Sequence, residues 1–262
     1  MCGYLRDGER WLEQALFAAE PAVSLRARAL DGYGTIKLGL GEHAASRVHL
    51  EAALGLARAA EDHVTAASAL VHLGMGAQSQ GGETRAASLF EAGLAIYREV
   101  GHAWGTALAL RSLGAVRRHL GELQAAERDL AEAITLFRQV GDVRALALAL
   151  ISLASLLGSR GERPRVHTLL AEAVSLGRLL GDNARIIAAC ADVVAALDLS
   201  SATPEQVVQL LAAADGLRRR SGIGRTTREQ AARARRVAGL RARLGEPACA
   251  ACWAAGAGAE RS

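Results

Sequence analysis

The residues with the clearest chemical spacing are Cys249 and Cys252, which are three apart, as in a metal-binding or redox pair. A structural zinc site needs four ligands, and neither a second cysteine pair nor a His-rich stretch lies near them in sequence. The two therefore read as small apolar residues on a terminal helix. The histidines (His43, His49, His63, His72, His102, His119 and His167) never form a His-x-x-x-His pair, and they read as solvated or structural. A phosphate-cradling loop needs lysine directly before Ser or Thr. The sole lysine, Lys37, lies between Ile36 and Leu38, so no such loop exists. Gly222-Ile223-Gly224 has no strand before it and reads as a plain loop. Glu61-Asp62 sits in a turn, where helix capping accounts for it. No nucleophile and base can be paired. The expectation is a protein that is not an enzyme, with no catalytic residues, no metal ligands and no cofactor.

One charged stretch asks for a partner. Arg218, Arg219, Arg220, Arg225, Arg228, Arg233, Arg235, Arg236, Arg241 and Arg243 face Glu229 alone. Clustered arginine neutralises phosphate, which is the nucleic-acid reading. No aromatic residues interleave for base stacking, and the spacing leaves Ala231, Ala234, Val237, Leu240 and Leu244 to pack. A solvated helix face is therefore expected, then an acidic partner surface, with nucleic acid only a weaker alternative.

The elements that must position these residues are helices. Apolar residues make up 51% of the chain but aromatics only 3%, so the core is built from Ala, Leu and Val, which points to helix and away from sheet. The net charge of +4 comes almost wholly from arginine, a bias that suits a GC-rich, bacterial source better than selection for nucleic acid. Four cysteines in a chain of 262 residues do not make a disulfide framework. Arg6, Asp7, Glu9 and Arg10 interrupt the opening, so no secretory leader is expected. The apolar stretch from Ala145 to Ser159 is shorter than the roughly 20 residues of a membrane span. A cytoplasmic protein with no membrane contact is expected.

Self-similarity decides the architecture. Gly41, Gly81, Gly121 and Gly161 recur every 40 residues. Behind them, Leu50, Phe90, Leu130 and Leu170 form one column, and Leu54, Leu94, Ile134 and Val174 the next. Leu56, Ile96, Leu136 and Leu176 follow, then Arg58, Arg98, Arg138 and Arg178. A second block repeats through Leu70, Leu110 and Leu150, then Leu73, Leu113 and Leu153. Spacing such as Leu130, Ile134, Phe137, Val140 is helical, and two helices fit each unit. Gly101-His102, Gly141-Asp142 and Gly181-Asp182 separate the two helices of a unit, glycine closing one helix and the next residue opening another. Such a hairpin cannot bury its apolar stripe alone, so neighbours must stack.

These columns resemble the tetratricopeptide repeat. That family's first helix carries a large residue, then Leu-Gly, then glycine seven residues on. Leu70, Leu73, Gly74 and Gly81 match, as do Leu110, Leu113, Gly114 and Gly121. Its second helix is matched by Ala126, Leu130 and Ala133, and in part by Ala86 and Phe90. Arginine replaces the usual closing proline at 58, 98, 138 and 178, so the second helix runs on and the unit lengthens to 40 residues. The resemblance implies an all-α, right-handed α-solenoid of helical hairpins, with an array over 1–200 (units near 1–40, 41–80, 81–120, 121–160 and 161–200).

Residues 201–262 are expected to form C-terminal capping helices with a frayed tail. Thr203-Pro204-Glu205-Gln206 reads as a capping box, Thr227 to Gln230 as a second, and Glu246-Pro247 opens a short helix carrying Trp253. At the other end, Trp11, Leu12 and Leu16 form a helix in a different register, so the first hairpin lacks a proper cap and self-association or docking there is plausible. The terminal segments, Leu210 to Arg218, Leu240 to Glu246 and Trp253, with Gly3 to Arg6 and Arg10 to Glu13 at the start, resemble the closing arrays of large bacterial signal-transduction ATPases and transcriptional regulators. That resemblance implies a sensor arm of a larger regulator as the alternative function.

The leading expectation is a protein-protein interaction scaffold that binds a peptide, helix or neighbouring domain in its concave groove. By the family's geometry the groove residues are Asp31, Thr35, Val71, Met75, Gln78, Arg111, Arg118, Ile151 and Ser155. The groove would be most basic around Arg111, Arg117, Arg118 and His119, which favours an acidic ligand.

Overall fold

The computed structural model describes residues 22–180, 203–220 and 227–258, with Asp7, Gly8, Leu12, Ile186, Ala189, Cys190 and Val193. Among the described residues every regular element is a helix. The chain is an α-solenoid of consecutive hairpins, and its contacts divide it into two compact units, Met1–Gly141 and Asp142–Ser262.

The first unit holds three hairpins: α1 (Val23–Gly39) with α2 (His43–Ala59), α3 (His63–Ser79) with α4 (Glu83–Glu99), and α5 (Ala103–Leu120) with α6 (Leu123–Val140). The inner helices α1, α3 and α5 pack on one another in turn. Leu50, Phe90 and Leu130, one on each outer helix, are buried beneath Gly34, Gly74 and Gly114 of the inner ones. A methyl group on those glycines would lie 2.6 to 2.7 Å from the facing side chain, so the small column exists to let the hairpin close. Arg58, Arg98 and Arg138 lie in the last turns of α2, α4 and α6, as expected from the missing proline.

The backbone repeats twice as often as the sequence. Helix ends recur every 20 residues with the same pair of bonds: Gly121 N–H donates to Arg118 O, and Glu122 N–H to Arg117 O. The same pairing closes α1 to α4 and the first helix of the second unit. The pivot has positive φ at Gly41, Gly81, Gly101, Gly121, Gly141 and Gly161, and at Glu61 (φ 53°), the only non-glycine there among the described residues. Left-handed backbone costs an L-residue about 1 kcal/mol or more. Glu61→Gly is therefore expected to raise stability by about 1 kcal/mol, read as a higher urea midpoint at unchanged slope. The next helix is then capped: Asp62 accepts from Thr65 N–H (3.0 Å), His102 from Gly105 N–H (3.0 Å) and Asp142 from Ala145 N–H (2.8 Å). Near the chain's start, the two described positions that touch α1 do so at Gly8 (to Ile36) and Leu12 (to Gly32), whereas Trp11 and Leu16 lie outside the described residues.

The second unit opens with the hairpin α7 (Val143–Ser159) and α8 (Arg163–Leu179), closed over Leu150, Leu153, Leu157, Val166 and Leu170. Then come α9 (Pro204–Arg220), α10 (Thr227–Leu244) and α11 (Glu246–Gly258). The first capping box is formed: Gln206 N–H donates to Thr203 Oγ1 (3.4 Å) while Thr203 N–H donates to Gln206 Oε1 (3.0 Å). The second falls on side chains outside the described residues, as do the 221–225 loop and Gly181-Asp182. Gly245 (φ 77°) separates α10 from α11 as the sequence predicts. Val207, Val208, Leu211, Leu240 and Cys249 are buried together there, with Val237, Leu244, Cys252 and Trp253 packed on them. Ala231 and Ala234 are exposed, contrary to expectation, because α10 buries only the narrow stripe through Val237, Leu240 and Leu244.

Candidate functional site

Position in the hairpin decides where each expected groove residue lies. In the first unit Asp31, Thr35, Met75, Gln78, Arg111 and Arg118 are half-buried on the inner helices. Val71 is 0% exposed, because its methyl group fills the space left by Gly93 of α4. In the second unit Ser155 is half-buried and Ile151 belongs to the core. Val71 and Ile151 therefore serve packing.

Asp31 and Thr35 of α1 meet Ser68 and His72 of α3 in a polar cluster. Ser68 Oγ donates to Asp31 Oδ2 (2.7 Å), and His72 Nδ1 lies 3.0 Å from Asp31 Oδ1 and 3.1 Å from Thr35 Oγ1. Thr35 donates its own proton to the Asp31 carbonyl (2.8 Å), so His72 Nδ1 carries the proton in this contact. Burial pushes the Tyr97 phenol beneath the cluster up to about 12; a hydrogen bond with Ser68 pulls the other way, and the Asp31 charge adds to the rise. Aspartate, serine and histidine together invite comparison with a hydrolytic triad, but the geometry differs. Asp31 and Ser68 both address Nδ1, and the Ser68 proton goes to Asp31. A triad needs the two on opposite nitrogens. This arrangement orients the imidazole and holds two hairpins together.

Ser68, His72 and Tyr97 do not emerge from sequence reasoning. Their signal was available: Asp31 to Ser68 and Thr35 to His72 are both 37 residues apart, one turn less than the period. A second contact repeats with the full period. Ser79 meets His43 at 3.2 Å, and His119 meets Glu83 at 3.2 Å, each tying the end of an inner helix to the start of the preceding outer one.

The expected basic centre is largely offset. Arg117 Nη1 donates to Asp129 Oδ2 (2.7 Å), its other Nη to Glu91 (2.8 Å), and its Nε lies 3.5 Å from Glu122. Burial works against the charged guanidinium, yet Asp129 and Glu91 outweigh it and hold Arg117 above its ordinary range. His119 faces Glu83, and Arg118 contacts His119 at 2.7 Å. The carboxylates of α6 and of the α5–α6 turn reach Arg117 when its own hairpin closes, and those of α4 reach Arg117 and His119 only once the hairpins stack.

In the second unit Arg233 is a structural residue. Its Nη2 donates to Asp215 Oδ2 (2.8 Å) and to the Leu211 carbonyl (3.1 Å), and its guanidinium lies 5.1 Å from the Trp253 ring centre. Cys249 is buried in the apolar cluster and Cys252 packs on its edge, both as free thiols. Burial pushes the Cys190 thiol up to about 11. Brief alkylation of the native protein near pH 8 is expected to label Cys252 well before Cys190 or Cys249. Peptide-level mass spectrometry reads this, and equal labelling of Cys190 contradicts its burial.

Helical hairpins stacked on a 40-residue period define an α-helical repeat protein. The fold is similar to that in the crystal structure of BtubC (BKLC) from P. vanneervenii, with a TM-score of 0.56 over 94% of this chain and 91% of that one. Identity between the two is 16%, so the likeness establishes the fold alone. No protein-family model matches the chain, and no curated protein matches it by sequence. Among the described residues no helix is long and apolar enough to cross a membrane.

Proposed function

We propose that this chain is a non-catalytic protein-interaction scaffold of the tetratricopeptide kind. The inner helices of its first unit hold a peptide, a helix or a neighbouring domain. The observation that carries this reading is the packing of α1, α3 and α5 in series, with Asp31, Thr35, His72, Met75, Gln78, Arg111 and Arg118 half-buried along them. Side chains of this kind offer hydrogen bonds and adaptable contact on a rigid scaffold. Arg117 and His119 are engaged with carboxylates, so these two offer an acidic segment less charge than their positions in the sequence suggest.

The test is a photo-crosslinking residue placed at Met75 or Gln78, compared with Arg58 and Arg178 on outer helices, in source cells. Adducts from the inner positions alone are expected. Equal adducts from the outer positions, or none from any, would remove the groove as the binding surface. The likeness of the terminal segments to ATPase regulators makes an ATPase domain of the same polypeptide one candidate neighbour. A native immunoblot band far above 27.3 kDa supports that version, and a band at that mass excludes it.

A further inference from the structure

The arginines of α10 divide into two classes that the sequence does not separate. Arg233 is locked against Asp215 and Trp253, on the side where Val237, Leu240 and Leu244 pack. Arg235, Arg241 and Arg243 are exposed, and so are Ala231, Ala234, Ala238, Gly239 and Ala242 among them. From Pro204 to Gly258 ten arginines stand against Glu205, Asp215, Glu229 and Glu246, an excess of six in a chain whose whole charge is +4. Positive charge is therefore concentrated on this end of the protein.

We propose that the outward side of α10, with Arg235 at its crest and Arg241 and Arg243 on its two flanks, binds the phosphate backbone of double-stranded DNA. The chemistry of the face argues for that partner over other anions. A tight protein interface needs buried aromatic or aliphatic anchors, and an amphipathic helix holds a membrane surface with an inserted apolar face besides its charge. The described part of α9 to α11 exposes no large hydrophobic side chain. Single strands are held by stacking on aromatic rings, and Trp253, the only aromatic of these helices, lies beneath Arg233. What remains is arginine on a low relief of alanine and glycine. An α-helix with side chains is about 10 to 12 Å across and enters the DNA major groove of about 12 Å, whereas the narrow major groove of duplex RNA excludes it. Arg241 pairs with Glu246 at 2.8 Å and Arg243 lies near enough to Glu205 to act on its charge, but both arginines are exposed, so a phosphate can replace each carboxylate. The contact reads charge and groove shape without base specificity.

The experiment is fluorescence anisotropy of a labelled DNA duplex of about 20 base pairs with the full chain at low salt. Binding in the non-specific range, with Kd on the order of 10⁻⁵ M, is expected. The log–log salt slope should be near −2.7, from three phosphates at about 0.9 each. Arg235→Glu with Arg243→Glu is expected to weaken it at least about tenfold. Arg58→Glu with Arg178→Glu makes the same charge change on exposed outer-helix positions and should leave most of the binding intact. The proposal fails if the duplex is not bound at low salt or if the control pair weakens binding equally. It fails too if a single strand, a duplex RNA, an acidic peptide or a phosphatidylserine vesicle is preferred.

Discussion

Phe90→Ala is expected to cost about 3 to 5 kcal/mol of unfolding free energy, enough to unfold a marginal domain. Phe90 is fully buried, and its ring fills the space that Gly74 leaves open across the α3–α4 hairpin. Removing the ring leaves a cavity that the hairpin cannot collapse around, because Gly93 already packs against Val71 and the Ala67 carbonyl on the same seam. The partner substitution separates this from a general loss of hydrophobicity. Gly74→Ala in the native protein sets a methyl 2.6 Å from the ring and should destabilise. In the Phe90→Ala background the same methyl enters the cavity and should recover part of the loss. A urea double-mutant cycle measures the coupling, and additive effects would contradict the contact.

Arg117→Met is expected to be the next most damaging change, and to depend on pH. Asp129 is the one buried charged residue among the described residues, and Arg117, with 22% of its side chain exposed, is its cation. Breaking a fully buried pair costs about 3 to 5 kcal/mol; partial exposure reduces the expectation here to about 2. Burial already pushes the Asp129 carboxyl above its ordinary range, outweighing the pull of Arg117. Without the guanidinium it rises further. A carboxyl whose folded-state value is raised favours the fold when protonated, and that contribution is lost as pH rises through the folded value. The deficit of Arg117→Met should therefore be smallest at acid pH, below the ordinary carboxylate range, and grow toward neutrality. Asp129→Asn, which cannot ionise, should show no such growth. Thermal unfolding across this range reads both, and a deficit independent of pH would assign the loss to packing alone.

The helices and their turns were legible because their causes are local. Positive-φ glycines, capping residues and apolar columns act within a few residues of themselves, so Gly121, Asp142 and Leu130 each announce their role in the chain. The 20-residue backbone rhythm was harder to see, since Glu61 occupies one of its pivots and side-chain types alternate between inner and outer helices. The expected groove residues lie on the inner helices and on the first helix of the second unit's hairpin, but sequence position did not reveal that Val71 faces Gly93 while Asp31, in the same column, faces Ser68 and His72. Nor did it distinguish Arg233, spent on Asp215 and Trp253, from Arg235 and Arg243 on the same helix.

By itself the sequence determined that this is a helical repeat with a 40-residue unit, and where most of its glycine turns fall, because periodicity and turn chemistry are properties of short segments. The tertiary structure decided which polar groups meet. Asp31 with His72, Arg117 with Asp129 and Glu91, and Arg233 with Asp215 are joined by the offset at which helices stack. That offset is the summed result of many small packing contacts, and no single residue encodes it.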